Sequence, residues 1–262
     1  MVAFVVWDNC ATKQSIAAKT GVPRVGCASH RFNLTVNKFL GPYEVLLAEV
    51  SSLMLELRKE SNIAELKKHT EPLPVTRNVT RWSSTFTMVQ RYIRIRSDIK
   101  KIDAVEDLLP TGGKHRKLVA LFEHLKKFNN VCKRLQRETT GMTEVRVMFD
   151  ALIAEYPVMA EHLRATAKIV HTPAFETGVT KMINRAPLTT AEEVELNCFE
   201  IERARGKKRK QPEEDYASML LQGSSKRKAT ASKQYIPLVK LVPSTSNAVE
   251  RLFSQCTLVL TP

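Results

Sequence analysis

Apolar positions along the chain change their spacing repeatedly, and each change predicts a different element. Val2 to Trp7 (Val-Ala-Phe-Val-Val-Trp) is rich in β-branched and aromatic residues without alternation, the pattern of a strand buried on both faces. A helix of about two turns follows over Thr12 to Lys19, and Gly21-Val-Pro23 breaks it. The segment from Arg24 to Val36 then predicts a short strand running directly into a helix. From Tyr43 to Lys68, Val45, Leu46, Val50, Leu53, Leu57, Ile63 and Leu66 recur at helical spacing, predicting a packed helix with one break near Ser61 and an end at Pro72 and Pro74. Thr80-Arg81-Trp82-Ser83-Ser84-Thr85 opens the next helix. Ser83 or Ser84 is placed to cap it, and Phe86, Val89, Tyr92, Ile93 and Arg96 follow at helical intervals.

Lys114 to Arg137, Thr143 to Arg164 and Thr189 to Arg205 repeat the helical pattern, separated by Gly112-Gly113, Gly141 and the Pro173 to Pro187 region. Periodicity is then lost. Between Arg205 and Lys233, nine basic and three acidic residues give a charge of +6 in one polar stretch, the composition of a flexible linker. An apolar pattern returns at Tyr235 to Val242, Pro243-Ser-Thr-Ser-Asn247 interrupts it, and Val249, Leu252, Phe253 and Cys256 mark one face of a closing helix. The pattern divides the chain at 1–40, 41–204, 205–233 and 234–262.

Composition narrows the function classes. A chain of 262 residues, 43% hydrophobic, can bury a sizeable core. Its 41 Lys and Arg against 27 Asp and Glu leave a formal charge of +14, which favours a polyanionic partner. No basic amphipathic stretch looks membrane-seeking and no apolar run is long enough to span a bilayer, so nucleic acid is the expected partner. A basic soluble protein with no such partner is the plain alternative. Five cysteines at scattered positions predict a reducing compartment rather than a disulfide framework.

Several residues carry candidate chemistry, each with a structural alternative. Asp8 ends the first strand, the place where open sheets meet ligands and metal ions, but Asp8-Asn9 also suits a turn or a helix cap. Cys27-x-x-His30 has metal-ligand spacing, yet a zinc site needs four ligands and the chain offers no second pair. Trp82 can stack on an unpaired base or fill a core at a helix start. Glu250 falls three residues after Asn247, where it would close a capping arrangement. The clusters Lys207-Lys208-Arg209-Lys210 and Lys226-Arg227-Lys228 suit nuclear import, phosphate contact or a solvated loop alike.

Taken together and in order, these stretches resemble the transposase domain of the hAT superfamily of cut-and-paste elements. The matching residues are Asp8-Asn9, Cys27-x-x-His30 with Asn33-Leu34, Arg81-Trp82, and Ser244-Thr-Ser-Asn-Ala-Val-Glu250-Arg-Leu-Phe-Ser254. Thr12 stands where the family carries a second Asn, and the helical middle is matched only in kind. The resemblance implies an incomplete α/β core of ribonuclease-H-like type in 1–40, a large all-α insertion in 41–204, a basic linker in 205–233, and in 234–262 the closing core helix with the start of a dimerisation region. It maps Asp8 and Glu250 onto two acids of an Asp-Asp-Glu triad that holds divalent cations, normally Mg2+. It associates Trp82 and its neighbour Arg81 with DNA, and makes Cys27 and His30 a structural motif.

The family's first acid lies on a strand ahead of the Asp8 strand. The expectation is therefore a predominantly helical, transposase-derived protein that binds DNA and self-associates in the nucleus, without catalysing transposition alone. No membrane and no small-molecule substrate are expected. An active metal-dependent nuclease, as part of a longer protein, and a helical interaction module without DNA binding are the alternatives.

Overall fold

A computed structural model describes residues 4–8, 11–201, 235 and 241–247. The expected closing helix with Glu250 and the basic linker with both its clusters lie outside the described residues. The described residues begin with a βαβ unit. β1 (Val5–Trp7) and β2 (Arg24–Gly26) pair in parallel, in register Val5 to Arg24, Val6 to Val25 and Trp7 to Gly26. α1 (Ala11–Thr20) crosses between them, and Gly21, at φ +63°, takes the left-handed turn that ends it without a Cβ clash. β2 is fully buried, whereas β1 is only half-buried, so the expectation of a first strand buried on both faces is corrected.

β2 runs through Cys27 straight into α2 (Ala28–Leu40), as its apolar pattern predicted. α2 buries Ala28, Arg31, Phe32, Thr35, Val36 and Leu40, an i, i+3, i+4, i+7, i+8 stripe. α3 (Glu44–Glu56) and α4 (Glu60–Lys67) follow, the break falling at 57–59, slightly ahead of the expected Ser61. α5 (Trp82–Ile99) and α6 (Gly112–Leu135) pack along one another, and α7 (Met142–Glu155) lies beside α6 through Arg134–Glu144 and Lys127–Glu155 pairs at 2.8 and 2.5 Å. Leu, Ile, Phe and Val side chains from α2, α3, α5, α6 and α7 interlock in one core. The architecture is predominantly helical, with two short strands among the described residues.

Four expectations about helices are corrected. The helix expected over Thr143 to Arg164 stops at Glu155, because Pro157 has no N–H to continue the ladder and pushes Tyr156 out of the helical region, to φ −128° and ψ 82°. A 3-10 turn (Pro157–Met159) and α8 (Ala160–Leu163) complete the stretch. The Pro173 to Pro187 separator contains α9 (Pro173–Ile183), with Pro173 in the first turn, where its missing N–H costs nothing. α10 (Thr190–Leu196) ends well before Arg205. Neither Ser83 nor Ser84 caps α5: Arg81 occupies the cap position, and the Ser84 hydroxyl instead accepts from Asn78 N at 2.8 Å.

A second, smaller core joins Val25 of β2, Phe175 and Val179 of α9, Leu196 and Phe199 around the end of α10, and Val242 of the returning C-terminal segment. Val6 of β1 and Phe4 just ahead of it pack against this core. α9 and α10 approach closely because Gly178 has no side chain. A Cβ built there would lie 3.0 Å from Leu196 Cδ1 and 3.2 Å from Glu192 Cβ.

Candidate functional site at the carboxyl ends of the strands

The site begins where the two strands end. Cys27 N donates to Trp7 O at 2.9 Å, extending the parallel ladder and setting Cys27 beside the Trp7-Asp8 edge. Arg24, fully buried, donates from Nη2 to the Asp8 carbonyl at 2.6 Å. The Asp8 Oδ1 atom is itself buried and has no hydrogen-bond partner among the described residues. A buried carboxylate oxygen left without a donor is costly. A donor or a cation placed there would remove that cost.

The C-terminal segment returns to this edge from the other end of the chain. Cys27 holds the cap position of α2 without a side-chain cap bond, and the Ala28 N–H of the first turn donates to Ser244 O at 2.9 Å. Ser246 N donates to the Cys27 thiol at 3.4 Å, across 219 positions of sequence. Asn247 Nδ2 bonds Ser29 Oγ at 3.0 Å and Leu135 O at 3.4 Å, and Ser244 Oγ donates to Thr140 O at 2.9 Å. The Ser-rich turn is thus fastened both to the start of α2 and to the α6–α7 connection. Its polar residues answer helix-end groups that would otherwise stay unsatisfied.

Behind this edge lies a polar clasp that periodicity did not reveal. Arg31 of α2 forms an ion pair with Glu176 of α9 at 3.3 Å, with both side chains almost wholly buried. The guanidinium also donates to His162 O at 3.0 Å and Arg164 O at 2.9 Å, and it lies 5.5 Å from the centre of the Phe149 ring. Glu176 Oε1 accepts from Gly26 N at 2.9 Å, so one carboxylate joins β2, α2 and α9. Burial drives the Glu176 carboxyl above its usual range, against the pull of Arg31 and the Gly26 N–H, and burial likewise lowers the Arg31 guanidinium. Thr172 completes the join: its hydroxyl accepts from Arg24 N at 3.1 Å and donates to Arg24 O at 2.8 Å. A cavity of about 210 Å3 opens beside the clasp, walled by Val25, Ala28, Val145 and Phe149, with Arg146 and Lys181 on its lining.

Of the residues singled out by sequence, the structure brings the Asp8 strand end, Cys27 and the Ser244 to Asn247 turn together. His30 is half-buried on α2, and Cys27 is a buried free thiol. Trp82 is elsewhere, 3% exposed in the helical core, with its ring edge-on to Phe32 at 6.0 Å. Its setting is that of the core aromatic, while Arg81 beside it is exposed. Glu250, Lys207, Lys208, Arg209, Lys210, Lys226, Arg227 and Lys228 lie outside the described residues. Arg31, Glu176, Arg24 and Thr172 were missed. One signal was present, a charged residue at position 31 inside the apolar stripe of α2.

No group of three or more His, Cys, Asp or Glu side chains gathers as a metal cluster among the described residues. No helix among them is long and apolar enough to cross a membrane. No protein-family model, curated protein or solved structure matches the chain.

Proposed function

We propose that the chain is a transposase-derived DNA-binding and self-associating protein of hAT type, with a ribonuclease-H-like core, that binds DNA without catalysing transposition by itself. The observation that carries this reading is the Ser246 to Cys27 bond. Two motifs matched independently at opposite ends of the chain meet at the edge that also bears Asp8. The charge of +14 supports a polyanionic partner, and nuclear residence follows from that partner. Asp8, whose Oδ1 has no hydrogen-bond partner among the described residues, and Glu250, by resemblance, are the residues that would hold a divalent cation such as Mg2+. Such a cation would activate an attacking oxygen and stabilise the leaving one at a phosphodiester. On this chain Asp8 keeps an oxygen ligand ready, and Arg24 fixes the backbone that carries it.

The test is binding and cleavage of labelled duplex DNA by the full chain. Salt-sensitive affinity with no cleavage in Mg2+ or Mn2+ is the expected result. Cleavage that disappears in Asp8→Asn would establish an active nuclease instead. A chain with no duplex affinity at low salt would leave a helical interaction module.

A further inference from the structure

We infer that the solvent face of α6 is a docking surface for the phosphate backbone of duplex DNA. This inference rests on the reading of the protein as a DNA binder and locates the contact. α6 carries seven Lys and Arg residues against the single acid Glu123. Leu118, Leu121, Leu125 and Phe128 turn one face into the core. On the opposite face Arg116, Lys126, Lys127, Lys133 and Arg134, with Arg137 just beyond the helix, fall within an arc of about 120° and a length of about 30 Å. Along that arc the cations divide into two groups. Those toward α7 are neutralised, Lys127 by Glu155 at 2.5 Å and Arg134 by Glu144 at 2.8 Å. The others are not: Lys126 pairs only with Glu123 of its own helix, at 2.7 Å, while Arg116, about five turns from Arg134 on the same line, and Lys133 and Arg137, further round the face, are exposed and make no ion pair with a described residue.

A band of cations along the exposed face of a rigid helix costs little entropy to present and suits a stiff polyanion. Its length approaches one turn of a DNA duplex, roughly 34 Å. The same band offers no stacking platform. Val119, Ala120 and Asn130 lie between the cations, and the nearby Phe122 ring is engaged by Phe86 at 5.5 Å and by the Lys126 ammonium at 4.9 Å. Binding to unpaired strands depends on exposed aromatic rings, so the band fits a duplex backbone better than a single strand. Contacts of this kind position a protein without reading sequence.

The experiment measures fluorescence anisotropy of a labelled duplex of ~20 base pairs across a salt series, with the full chain, a triple variant Arg116→Gln, Lys133→Gln, Arg137→Gln, and a charge-matched variant Lys59→Gln, Lys68→Gln, Lys101→Gln. Circular dichroism melts check that both variants fold. The ridge variant is expected to lower the slope of log K against log salt by about 2 to 3, near 0.9 per lost phosphate contact. The matched variant is expected to keep the slope of the unaltered chain. Equal slopes for both variants, with the unaltered chain binding normally, would overturn the ridge and leave the DNA-binding reading standing. No salt-sensitive duplex affinity in the unaltered chain would overturn both. Ridge-dependent binding only to phosphatidylserine vesicles, or tighter binding to the single strand than to the duplex, would assign the surface to another polyanion and overturn the inference.

Discussion

In the helical bundle the space between α2, α3, α5, α6 and α7 is filled by Leu, Ile, Phe, Val and Met side chains, with Trp82, Phe32, Phe39 and Phe128 meeting edge to face. At the α/β end the buried set includes Arg24, Arg31, Glu176, Glu192, Thr140 and Ser244. The bundle is stabilised by non-directional burial, which depends on volume and periodicity. The α/β end depends on directional bonds between segments far apart in sequence: residue 24 with 172, residue 26 with 176, and residue 27 with 246. Removing atoms should therefore weaken the bundle in proportion to the volume lost. Removing one partner at the α/β end should leave a buried charge or carbonyl unanswered.

The largest expected effects test that contrast directly. Trp82→Ala should cost about 3–5 kcal/mol of stability through the cavity it leaves, read as a fall in chemical-denaturation midpoint. Arg31→Met should cost a similar 3–5 kcal/mol by stranding the Glu176 carboxylate. The two differ in how they are rescued. Replacing both clasp residues, as Arg31→Met with Glu176→Met, should recover part of the loss, because the stranded charge is gone while the Gly26 N–H and the His162 and Arg164 carbonyls still lack their partners. If the double variant is as unstable as the sum of the single ones, the clasp is not an isolated charge pair and the contrast is wrong. Conservative exchanges should separate the regions further: Met54→Leu in the bundle should cost under about 1.5 kcal/mol, whereas Arg31→Lys should cost more, because one ammonium nitrogen cannot reach the Glu176 carboxylate and two carbonyls that three separate guanidinium nitrogens now bond.

Smaller effects sharpen the picture at the α9–α10 contact. Gly178→Ala should cost about 1–3 kcal/mol, since Leu196 and the Glu192 stem must move to admit a methyl group. Thr189→Ala should cost about 1 kcal/mol, because the Thr189 hydroxyl and the Glu192 carboxylate form a reciprocal capping box at the start of α10. Both changes are measurable by denaturant titration. A neutral Gly178→Ala would mean that the two helices separate easily.

The response to pH should also differ between groups. His115 and His162 are both held below their ordinary value, chiefly by burial and then by neighbouring cations, with each Nδ1 buried and without a hydrogen-bond partner among the described residues. Their stabilising effect is complete above the unfolded value of about 6.5 and is lost as pH falls through the lower folded values. Glu176 acts in the opposite sense: its raised value makes stability decline as pH rises from the ordinary carboxyl range through its folded value. The melting temperature of His162→Asn should fall less than that of the unaltered chain on going from neutral to mildly acidic pH. An unchanged acid dependence in that variant would remove His162 as a contributor.

Legibility followed the same division. α2, α3 with α4, α5 and α6 were readable because each has enough turns for its apolar stripe to repeat, and the βαβ opening from its β-branched and aromatic run and the Gly21-Val-Pro23 break. α9 was not, since Pro173 and Gly178 read as breakers when considered locally. Pro173 is harmless at a first turn and Gly178 is a close-packing position, but both facts belong to the neighbours rather than to the segment. Trp82 was readable as a core aromatic or a stacking platform, and only its contact with Phe32 distinguishes those settings. Asp8 and Cys27 were recognised as notable positions, yet nothing local indicated that Ser246 would bond the Cys27 thiol.

The amino-acid sequence by itself determined the helical character of the chain, its basic charge and most of the boundaries between elements, because periodicity, breakers and ionisable groups act over a few residues. Tertiary structure alone decided that Arg31 and Glu176 would meet, that the Asp8 oxygen would be buried without a donor among the described residues, and that the Cys27 and Ser246 segments would share one edge. Such buried polar contacts depend on which distant segment supplies the missing donor or acceptor. That choice is made by packing the whole chain, and no short window of sequence contains it.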